Sequence, residues 1–169
     1  MLKWIGAILI LASCGGFGFS LSAAHAREEN ALRQLIDALE YMHSELQYRM
    51  TPLPELCALV GNQNRSTVGQ VMLMLARELE CKISPDAEKC MLAALESEGE
   101  MPRRAREAFR MLGTTLGRFD AQGQLRGLEA VEEFCRRELG ALCENRDTRL
   151  RSYQTLGLCA GAALVILFI

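Results

Sequence analysis

The sequence predicts an all-α protein, an antiparallel bundle of about six helices with a transmembrane helix at each end. The transmembrane helices are indicated by two runs without a charged side chain, residues 4–24 and 153–169. The bundle is indicated by apolar residues at helical spacing between these runs, where no stretch alternates apolar and polar residues as a strand does. We therefore predict an N-terminal anchor at 1–25, a helical domain at 26–152 and a C-terminal anchor at 153–169.

The two uncharged runs differ in length. At about 1.5 Å of rise per residue, residues 4–24 extend about 31 Å, which is close to the hydrocarbon thickness of a bilayer. Residues 153–169 extend about 25 Å by the same rise, so they require local thinning of the bilayer or snorkelling of Arg149 and Arg151. Both runs predict contact with the lipid bilayer.

The N-terminal run is compatible with three fates. It is a retained anchor, or a lipoprotein signal in which residues 11–14 (LASC) place Cys14 for lipidation, or a signal peptide cleaved after the small-x-small residues 24–26 (AHA). Lys3 is the sole basic residue before the run, which is weak for a lipoprotein signal, and the run is long for a cleaved signal peptide. These features favour the retained anchor, and the three alternatives stay open.

Basic residues close to the predicted anchors indicate the orientation. Lys and Arg are enriched on the cytoplasmic side of membrane segments. One of them, Lys3, precedes the first anchor, and the others near the membrane lie between the two anchors: Arg27, Arg33, Arg146, Arg149 and Arg151. We therefore expect a cytoplasmic helical domain with both termini outside.

The cysteines agree with a cytoplasmic domain. The chain has 7 cysteines, an odd number. Those between the anchors show no spacing typical of a metal site: Cys57, Cys81, Cys90, Cys135 and Cys143. Free thiols in a reducing compartment are the favoured interpretation, and a disulfide such as Cys81–Cys90 is the alternative if the domain lies outside the cell.

The first half of the bundle shows three helices. One apolar face defines the first helix: Leu32, Leu35, Ile36, Leu39, Met42, Leu46 and Met50. Two prolines then end this helix and fit the first turn of the next, which should run from Leu53 to about Gly61. Ser66 is a predicted cap for a third helix. The apolar stripe of that helix is Val68, Val71, Met72, Leu75 and Leu79.

The second half shows three more. Ser84 as cap, Pro85 at the first helical position and Asp86 in the first turn predict the start of a fourth helix. Its core stripe is Ala87, Cys90, Met91, Ala94 and Leu95. Gly99 and Pro102 mark the next break, before a fifth helix at about 103–117. The sixth should begin near Asp120, a plausible cap, and continue without a break into the membrane at Tyr153.

The composition and motifs give no sign of catalysis. The formal net charge is -2, with both signs interspersed, so nucleic-acid binding is not predicted. The 2 histidines, His25 and His43, lack neighbours at metal-ligand spacing, apart from Glu40 beside His43 on a solvated helix face. The glycine-rich residues 14–18 lack the lysine and the preceding strand of a phosphate loop. We therefore predict a protein that is not an enzyme and that needs no cofactor or metal.

Two features predict contacts with other molecules. Gly157 and Gly161 form a Gly-x-x-x-Gly pair, and together with Gly15 in the first anchor they would allow close packing of membrane helices. Arg103, Arg106 and Arg110 fall near one face of the fifth helix. This face would meet an acidic partner or anionic lipid headgroups. The alternative is a solvated face on which the arginines pair with Glu100 and Glu107.

Three segments in their order along the chain carry a family resemblance. They are residues 48–55 (YRMTPLPE), residues 112–120 (LGTTLGRFD) followed by Gln124, and Leu156 with Gly157 at the start of the last anchor. In these segments and in its size the chain resembles the stage III sporulation protein AB family of endospore-forming bacteria. The matching motif residues are Thr51, Pro52, Leu53, Pro54, Glu55, Leu112, Gly113, Leu116, Gly117, Asp120 and Gln124. Phe119 and Cys57 depart from the family pattern, which usually has a small residue at the first position and Ala at the second.

The resemblance implies a role that composition does not show. The family belongs to the machinery that links the mother cell to the forespore, and it is similar to the platform proteins of type II secretion and type IV pilus systems. These platforms have cytoplasmic six-helix bundles and sit beside a hexameric secretion-type ATPase. The resemblance thus implies a domain in the mother-cell cytoplasm, anchored in the outer forespore membrane. Its partners would be the ATPase, other membrane channel components and further copies of the chain, and the two motif turns would be structural corners.

The sequence leaves other functions open. A membrane-anchored or lipidated extracytoplasmic helical adaptor or sensor is favoured by residues 11–14 and 24–26, and opposed by the cysteines and the arginines near the anchors. A cytoplasmic adaptor that binds a soluble regulator is a further alternative. The oligomeric state, the transported substrate and the residues that contact the ATPase do not follow from the sequence.

Overall fold

The computed structural model describes residues 2–49, 51–64, 66–81, 86–99, 101–116 and 122–144, and of residues 2–22 it describes the backbone alone. All regular secondary structure in these ranges is helical, which confirms the all-α prediction. Within the described ranges, no helix combines the length and the apolar character needed to cross a membrane. The anchor predicted at 153–169 lies outside them.

The helices follow the predicted order. They are α1 (Leu2–Arg49), α2 (Leu53–Gln63), α3 (Thr67–Glu80), α4 (Ala87–Ser97), α5 (Arg103–Thr115) and α6 (residues 122–144). The second and fifth helices begin at Leu53 and Arg103, as predicted. The predicted continuation of the last helix into the membrane concerns residues from 145 onward, which lie outside the described ranges, as does its predicted cap, Asp120.

By its internal contacts the chain divides into two compact units. One is Glu28–Leu139, and the other combines Met1–Arg27 with Gly140–Ile169. The second unit includes the end of α6, where Leu142 is buried and Cys143 is exposed. All contacts described below belong to the unit Glu28–Leu139.

The core of this unit includes the predicted apolar faces of α1, α3 and α4, together with buried residues of α2, α5 and α6. Buried positions recur at helical spacing in every helix, which removes a large apolar area from water. Typical members are Leu32, Leu35, Leu39, Met42, Leu56, Val60, Val71, Met72, Leu75, Met91, Ala94, Phe109, Leu112, Leu128 and Val131. Leu46 and Leu79, at the ends of the predicted stripes, are half-buried. Met50 lies outside the described residues.

The helix starts confirm one predicted cap and correct another. The Ser66 hydroxyl accepts a hydrogen bond from the Gly69 amide at 3.3 Å, as expected for a cap of α3. The prediction for α4 was wrong at Asp86, which is the cap and not a first-turn residue. Its backbone is extended (φ -106, ψ 109), and its carboxylate accepts from the Glu88 amide at 3.2 Å. Ser84, the predicted cap, lies outside the described residues.

Helices α1 and α6 run antiparallel. Consecutive helices from α2 to α5 pack on one another. Between α1 and α6, Glu40 pairs with Arg136, and His43 Nε2 lies 3.3 Å from Glu129 Oε1. In these two pairs the residue number increases along α1 and decreases along α6, so the two helices are antiparallel. This arrangement confirms the predicted bundle.

The α2–α3 hairpin depends on two glycines. A Cβ atom at Gly69 would lie 1.6 Å from the Asn64 carbonyl oxygen. A Cβ atom at Gly61 would lie 2.5 Å from Leu73 Cγ and 2.8 Å from the Gly69 carbonyl oxygen. Because real side chains do not approach so closely, both positions require glycine for the two helices to meet.

Candidate functional site

A groove between α4 and α5 collects the basic residues that the sequence singles out. We call it the α4–α5 groove. Its volume is about 510 Å³. Helix α4 contributes Glu88, Met91 and Leu92, and helix α5 contributes Arg103, Arg106, Glu107, Arg110, Met111 and Thr114.

The sequence of α5 directs the arginines into this groove. Its buried positions recur every three or four residues and form one side: Ala105, Ala108, Phe109, Leu112 and Gly113. Arg103, Arg106 and Arg110 have the same spacing on another side, so they follow one another along the groove. The structure therefore brings the three predicted contact residues together.

The three arginines are not neutralised by their neighbours. None of Arg103, Arg106 and Arg110 makes an ion pair with any residue that the structure describes, Glu107 included. The pairing with Glu107 that the solvated-face alternative requires is therefore absent there, and Glu100 lies outside the described residues. Since Glu88 and Glu107 also line the groove, three cationic side chains face two anionic ones.

Arg106 is the most constrained of the three. Its side chain is half-buried, and its Nη2 donates a hydrogen bond to the Gly99 carbonyl oxygen at 3.3 Å. Its Nε is buried and has no acceptor within the described part of the chain. An unsatisfied buried donor costs about 1–3 kcal/mol. The groove wall therefore contains a donor whose hydrogen-bonding capacity is unused.

The floor of the groove is apolar. Met91 is 1% exposed, while Leu92 beside it is 39% exposed. In the described part of the chain, the large apolar side chains that are exposed are Leu92, Tyr48 and Leu59. The sequence alone predicts no role for Leu92, because its exposure depends on how α4 and α5 pack on each other.

Gly113 sets the separation of α4 and α5. A Cβ atom at Gly113 would lie 2.8 Å from Met91 Cβ and 3.5 Å from Glu88 Cα. Both atoms are at or next to the backbone of α4, so they move only if the helix moves. The motif glycine therefore lets α4 and α5 approach closely, and it fixes the depth of the groove.

The rest of the second motif has a structural place. Leu112 and Leu116 are buried, and the Thr115 hydroxyl donates to the Leu112 carbonyl at 2.9 Å. A Cβ atom at Gly127 of α6 would lie 2.7 Å from Thr115 Cβ, so this turn packs tightly on α6. Gln124 is half-buried at the start of α6. Gly117 and Asp120 lie outside the described residues.

The first motif forms a corner between α1 and α2. The Thr51 hydroxyl donates to Glu45 at 3.3 Å, and the Pro52 carbonyl accepts from the Leu56 amide at 2.9 Å. Leu53 opens α2, Pro54 stands in its first turn, and Glu55 is exposed there. None of these residues lines the α4–α5 groove.

Arg104 is a residue whose role the sequence analysis missed. Its Nη1 lies 2.9 Å from Glu138 Oε2 and donates to the Glu138 carbonyl at 3.3 Å. Its Nε lies 3.8 Å from Glu28 Oε1, and its backbone amide donates to the same oxygen at 3.4 Å. We call these contacts the Arg104 clasp. They join α1, α5 and α6, and residues so distant in sequence offer no local signal for such a contact.

The described cysteines between the predicted anchors are free thiols. Cys57, Cys90 and Cys135 are buried, while Cys81 and Cys143 are exposed. Burial raises the pKa of the Cys57 and Cys135 thiols to about 12, and the Glu132 carboxylate adds to the shift at Cys135. Both thiols are therefore protonated and unreactive at neutral pH. The described residues contain no group of three potential ligands that could hold a metal ion.

The glycines predicted to pack membrane helices do not belong to this site. Gly15 lies on the helical backbone of α1, in the range for which the structure gives no side chains. Gly157 and Gly161 lie outside the described residues. Their role stays a prediction.

The chain is similar to proteins of one family. The family model described as stage III sporulation protein AB matches residues 3–169. The stage III sporulation protein AB of Bacillus subtilis (strain 168) is 22% identical over 170 residues, which cover 99% of each protein. A solved structure of a stage III sporulation protein AB has the same fold, with 18% identity and a TM-score of 0.64, and the match covers 72% of this chain and 98% of the solved one. Because the family model spans nearly the whole sequence, the chain belongs to the stage III sporulation protein AB family.

Proposed function

We propose that the chain is a non-enzymatic membrane platform component of the channel between mother cell and forespore. In this role its helical domain docks a hexameric secretion-type ATPase in the mother-cell cytoplasm. Its uncharged ends hold it in the outer forespore membrane, with both termini on the other side, beside other channel components. Family membership supports the link to sporulation, and the two uncharged runs support the attachment to a membrane.

The observation that carries the docking proposal is the α4–α5 groove. Arg103, Arg106 and Arg110 lie along one helix without ion-pair partners in the described structure, next to an exposed leucine. Arginines that lack an ion pair and outnumber the two carboxylates of the groove raise the local positive potential, and they increase the rate at which an oppositely charged protein associates. A groove of this kind is suited to binding a protein partner.

Co-purification tests the docking proposal. The full-length chain and the secretion-type ATPase of the same organism are co-expressed, and the chain is captured in mild detergent. With the triple variant R103E/R106E/R110E, the amount of co-purified ATPase should fall at least about tenfold, because each charge reversal replaces attraction by repulsion. The matched control is R77E/R126E/R137E, which changes three exposed arginines without ion pairs in the described structure by the same total charge.

Three outcomes are informative. Loss of the ATPase in the groove variant alone supports the proposal. Equal retention by the groove variant and the control removes the groove from the docking surface. Absence of the ATPase from the wild-type complex contradicts the platform role itself.

Thiol labelling tests the cytoplasmic location. Cys81 is exposed in the bundle, so a membrane-impermeant maleimide reaches it only from the side on which the domain lies. In vegetative cells made to express the chain, the extracytoplasmic side of the membrane faces the medium, so we expect no labelling of Cys81 in intact cells and labelling after permeabilisation, with C81S as the control for other thiols. Labelling in intact cells would favour the extracytoplasmic adaptor.

A further inference from the structure

The α4–α5 groove combines two kinds of surface in a defined order. Along α5, Arg103, Arg106 and Arg110 span about two helical turns, or about 10 Å. Beside them, Leu92 and Met111 present apolar surface at the floor. A ligand that fits must carry apolar groups and negative charges along adjacent stripes.

We infer that the occupant of the α4–α5 groove is an acidic amphipathic helix of a partner protein. Its apolar side chains pack on Leu92 and Met111, and its carboxylates pair with Arg103, Arg106 and Arg110. The inference rests on the proposed function only for the identity of the protein that supplies this helix. When a groove between two helices binds a third helix, apolar side chains at helical spacing on the bound helix insert into the groove.

The spacing of the arginines favours a helix over other shapes. Arg103, Arg106 and Arg110 are three and four residues apart. Carboxylates with the same intervals on a partner helix would therefore lie opposite them. Such a helix places its apolar stripe beside its acidic one, as Leu92 and the arginines line the same groove. An extended strand would direct alternate residues away from the groove.

The acidic residues of the groove argue against a phosphate-rich partner. Glu107 lies on the same helix as the arginines and Glu88 lies on the facing helix, so a membrane surface or a nucleic acid would bring phosphates against them as well. A helix can place neutral or basic residues opposite these two carboxylates. Glu88 and Glu107 therefore favour one register of the bound helix, because a shifted register juxtaposes like charges.

Arg106 adds a specific prediction about the bound state. Its buried Nε lacks an acceptor in the described structure, although its Nη2 is held by the Gly99 carbonyl. A carboxylate of the bound helix that reaches the guanidinium through a small rotation of the side chain would satisfy this donor. Arg106 should therefore contribute more to binding than the exposed Arg103.

A synthetic helix tests the inference on the full-length chain in detergent. The probe is a fluorescein-labelled peptide of about 18 residues, long enough to be helical, with a leucine stripe flanked by glutamates. Fluorescence anisotropy should show binding of this probe. A second probe with lysines for the glutamates, and a third with glutamines for the leucines, should each bind at least about tenfold more weakly.

Two variants and their matched controls localise the binding. Leu92→Ser should weaken binding of the acidic probe about tenfold, while Leu59→Ser should leave it unchanged. Leu92 and Leu59 are exposed to nearly the same extent, 39% and 37%. Arg110→Glu should also weaken binding about tenfold, while Arg77→Glu should not. Circular dichroism shows whether each variant is folded. All four substituted positions are exposed, so the variants and the controls should be folded to the same extent.

The results separate the inference from the proposed function. Binding of the acidic probe that is sensitive to Leu92→Ser supports the inference even if no ATPase co-purifies. Co-purification of the ATPase that depends on the arginines, with no probe binding and no effect of Leu92→Ser, overturns the inference and leaves the proposed function standing. Displacement of the probe by phosphatidylglycerol in the micelles, with equal displacement in Leu92→Ser, would assign the arginines to a lipid surface and overturn the inference.

Discussion

The two sides of α5 use the same side chain in opposite ways. On one side, Arg104 meets two carboxylates and a carbonyl, and its side chain is 34% exposed. On the other side, Arg103, Arg106 and Arg110 line the α4–α5 groove without an ion pair to any described residue. Adjacent residues of one basic stretch therefore differ in whether the bundle itself supplies their partners.

This difference indicates where stability and where binding reside. The Arg104 clasp joins three helices of the same chain, so its contacts contribute to the free energy of folding. The groove arginines form no ion pair with a described residue, although Arg106 donates to the Gly99 carbonyl, so their charge stays available to a second molecule. An arginine-rich helix need not be a single binding surface, and its partners must be assigned residue by residue.

The largest effect is expected when a buried side chain that holds α5 in the core is removed. Phe109 is fully buried on α5 between the clasp and the groove. Phe109→Ala should lower the free energy of unfolding by about 3–5 kcal/mol, since it removes a large apolar group and leaves a cavity. Urea unfolding of the full-length chain in detergent, followed by circular dichroism, measures this loss. Tyr48→Ala is the control, because Tyr48 is 81% exposed, and it should change stability by less than about 0.5 kcal/mol.

A smaller change should alter the groove and spare the clasp. Gly113→Ala places a Cβ atom 2.8 Å from Met91 Cβ, so α4 must move away from α5. We expect a loss of about 1–3 kcal/mol in unfolding free energy, as in other overpacked cores. Faster alkylation of Cys90, which is buried on α4, would report the separation of the two helices.

The matched control for this change is another helical glycine. A Cβ atom at Gly140 would meet no atom of the described residues within 4 Å. Gly140→Ala should therefore raise stability by up to about 1 kcal/mol, because alanine favours the helix more than glycine does. Equal effects of the two substitutions would show that Gly113 is not required for the approach of α4 to α5.

The sequence predicts those parts of this comparison that depend on local spacing. The buried stripe of α5 and the common side of Arg103, Arg106 and Arg110 follow from a period of 3.6 residues. The cap at Ser66 follows from the preference of hydroxyl side chains for that position. The start of α4 shows the limit of such local rules, since Ser84 and Asp86 are both good caps and the structure uses Asp86.

Contacts between distant residues are beyond such reasoning. Arg104 stands next to Arg103 in the sequence, and its partners Glu28 and Glu138 lie in other helices. The pairs Glu40–Arg136 and His43–Glu129 likewise depend on which helices are adjacent and on their register. The groove itself depends on how closely α4 and α5 approach, and the short distance between Gly113 and Met91 requires glycine for that approach.

Removing one arginine from each side compares them directly. Arg104→Met keeps the length of the side chain and removes its charge, and it should lower stability by about 1 kcal/mol, because the clasp is partly exposed and therefore screened. Arg110→Met should change stability by less than about 0.5 kcal/mol, because Arg110 is exposed and lacks an ion pair in the described structure. Urea unfolding measures both. Equal losses would mean that the clasp adds nothing to the stability of the bundle.

The finest distinction lies within the clasp and requires double-mutant cycles. Arg104 Nη1 lies 2.9 Å from the Glu138 carboxylate, whereas its Nε lies 3.8 Å from that of Glu28. The coupling energy of Arg104 with Glu138 should therefore be the larger, about 0.5–1 kcal/mol, and that with Glu28 about 0.2–0.5 kcal/mol.

A pair in the groove provides the reference for both cycles. Arg110 and Glu107 are three residues apart on α5 and form no ion pair, so their coupling should be close to zero. Raising the salt concentration should reduce the two clasp couplings and leave this reference unchanged, because screening acts on charges that interact. A groove coupling as large as that of Arg104 with Glu138 would mean that Glu107 neutralises Arg110 in solution. The contrast between the two sides of α5 would then disappear, and the groove would have less charge to offer an acidic helix.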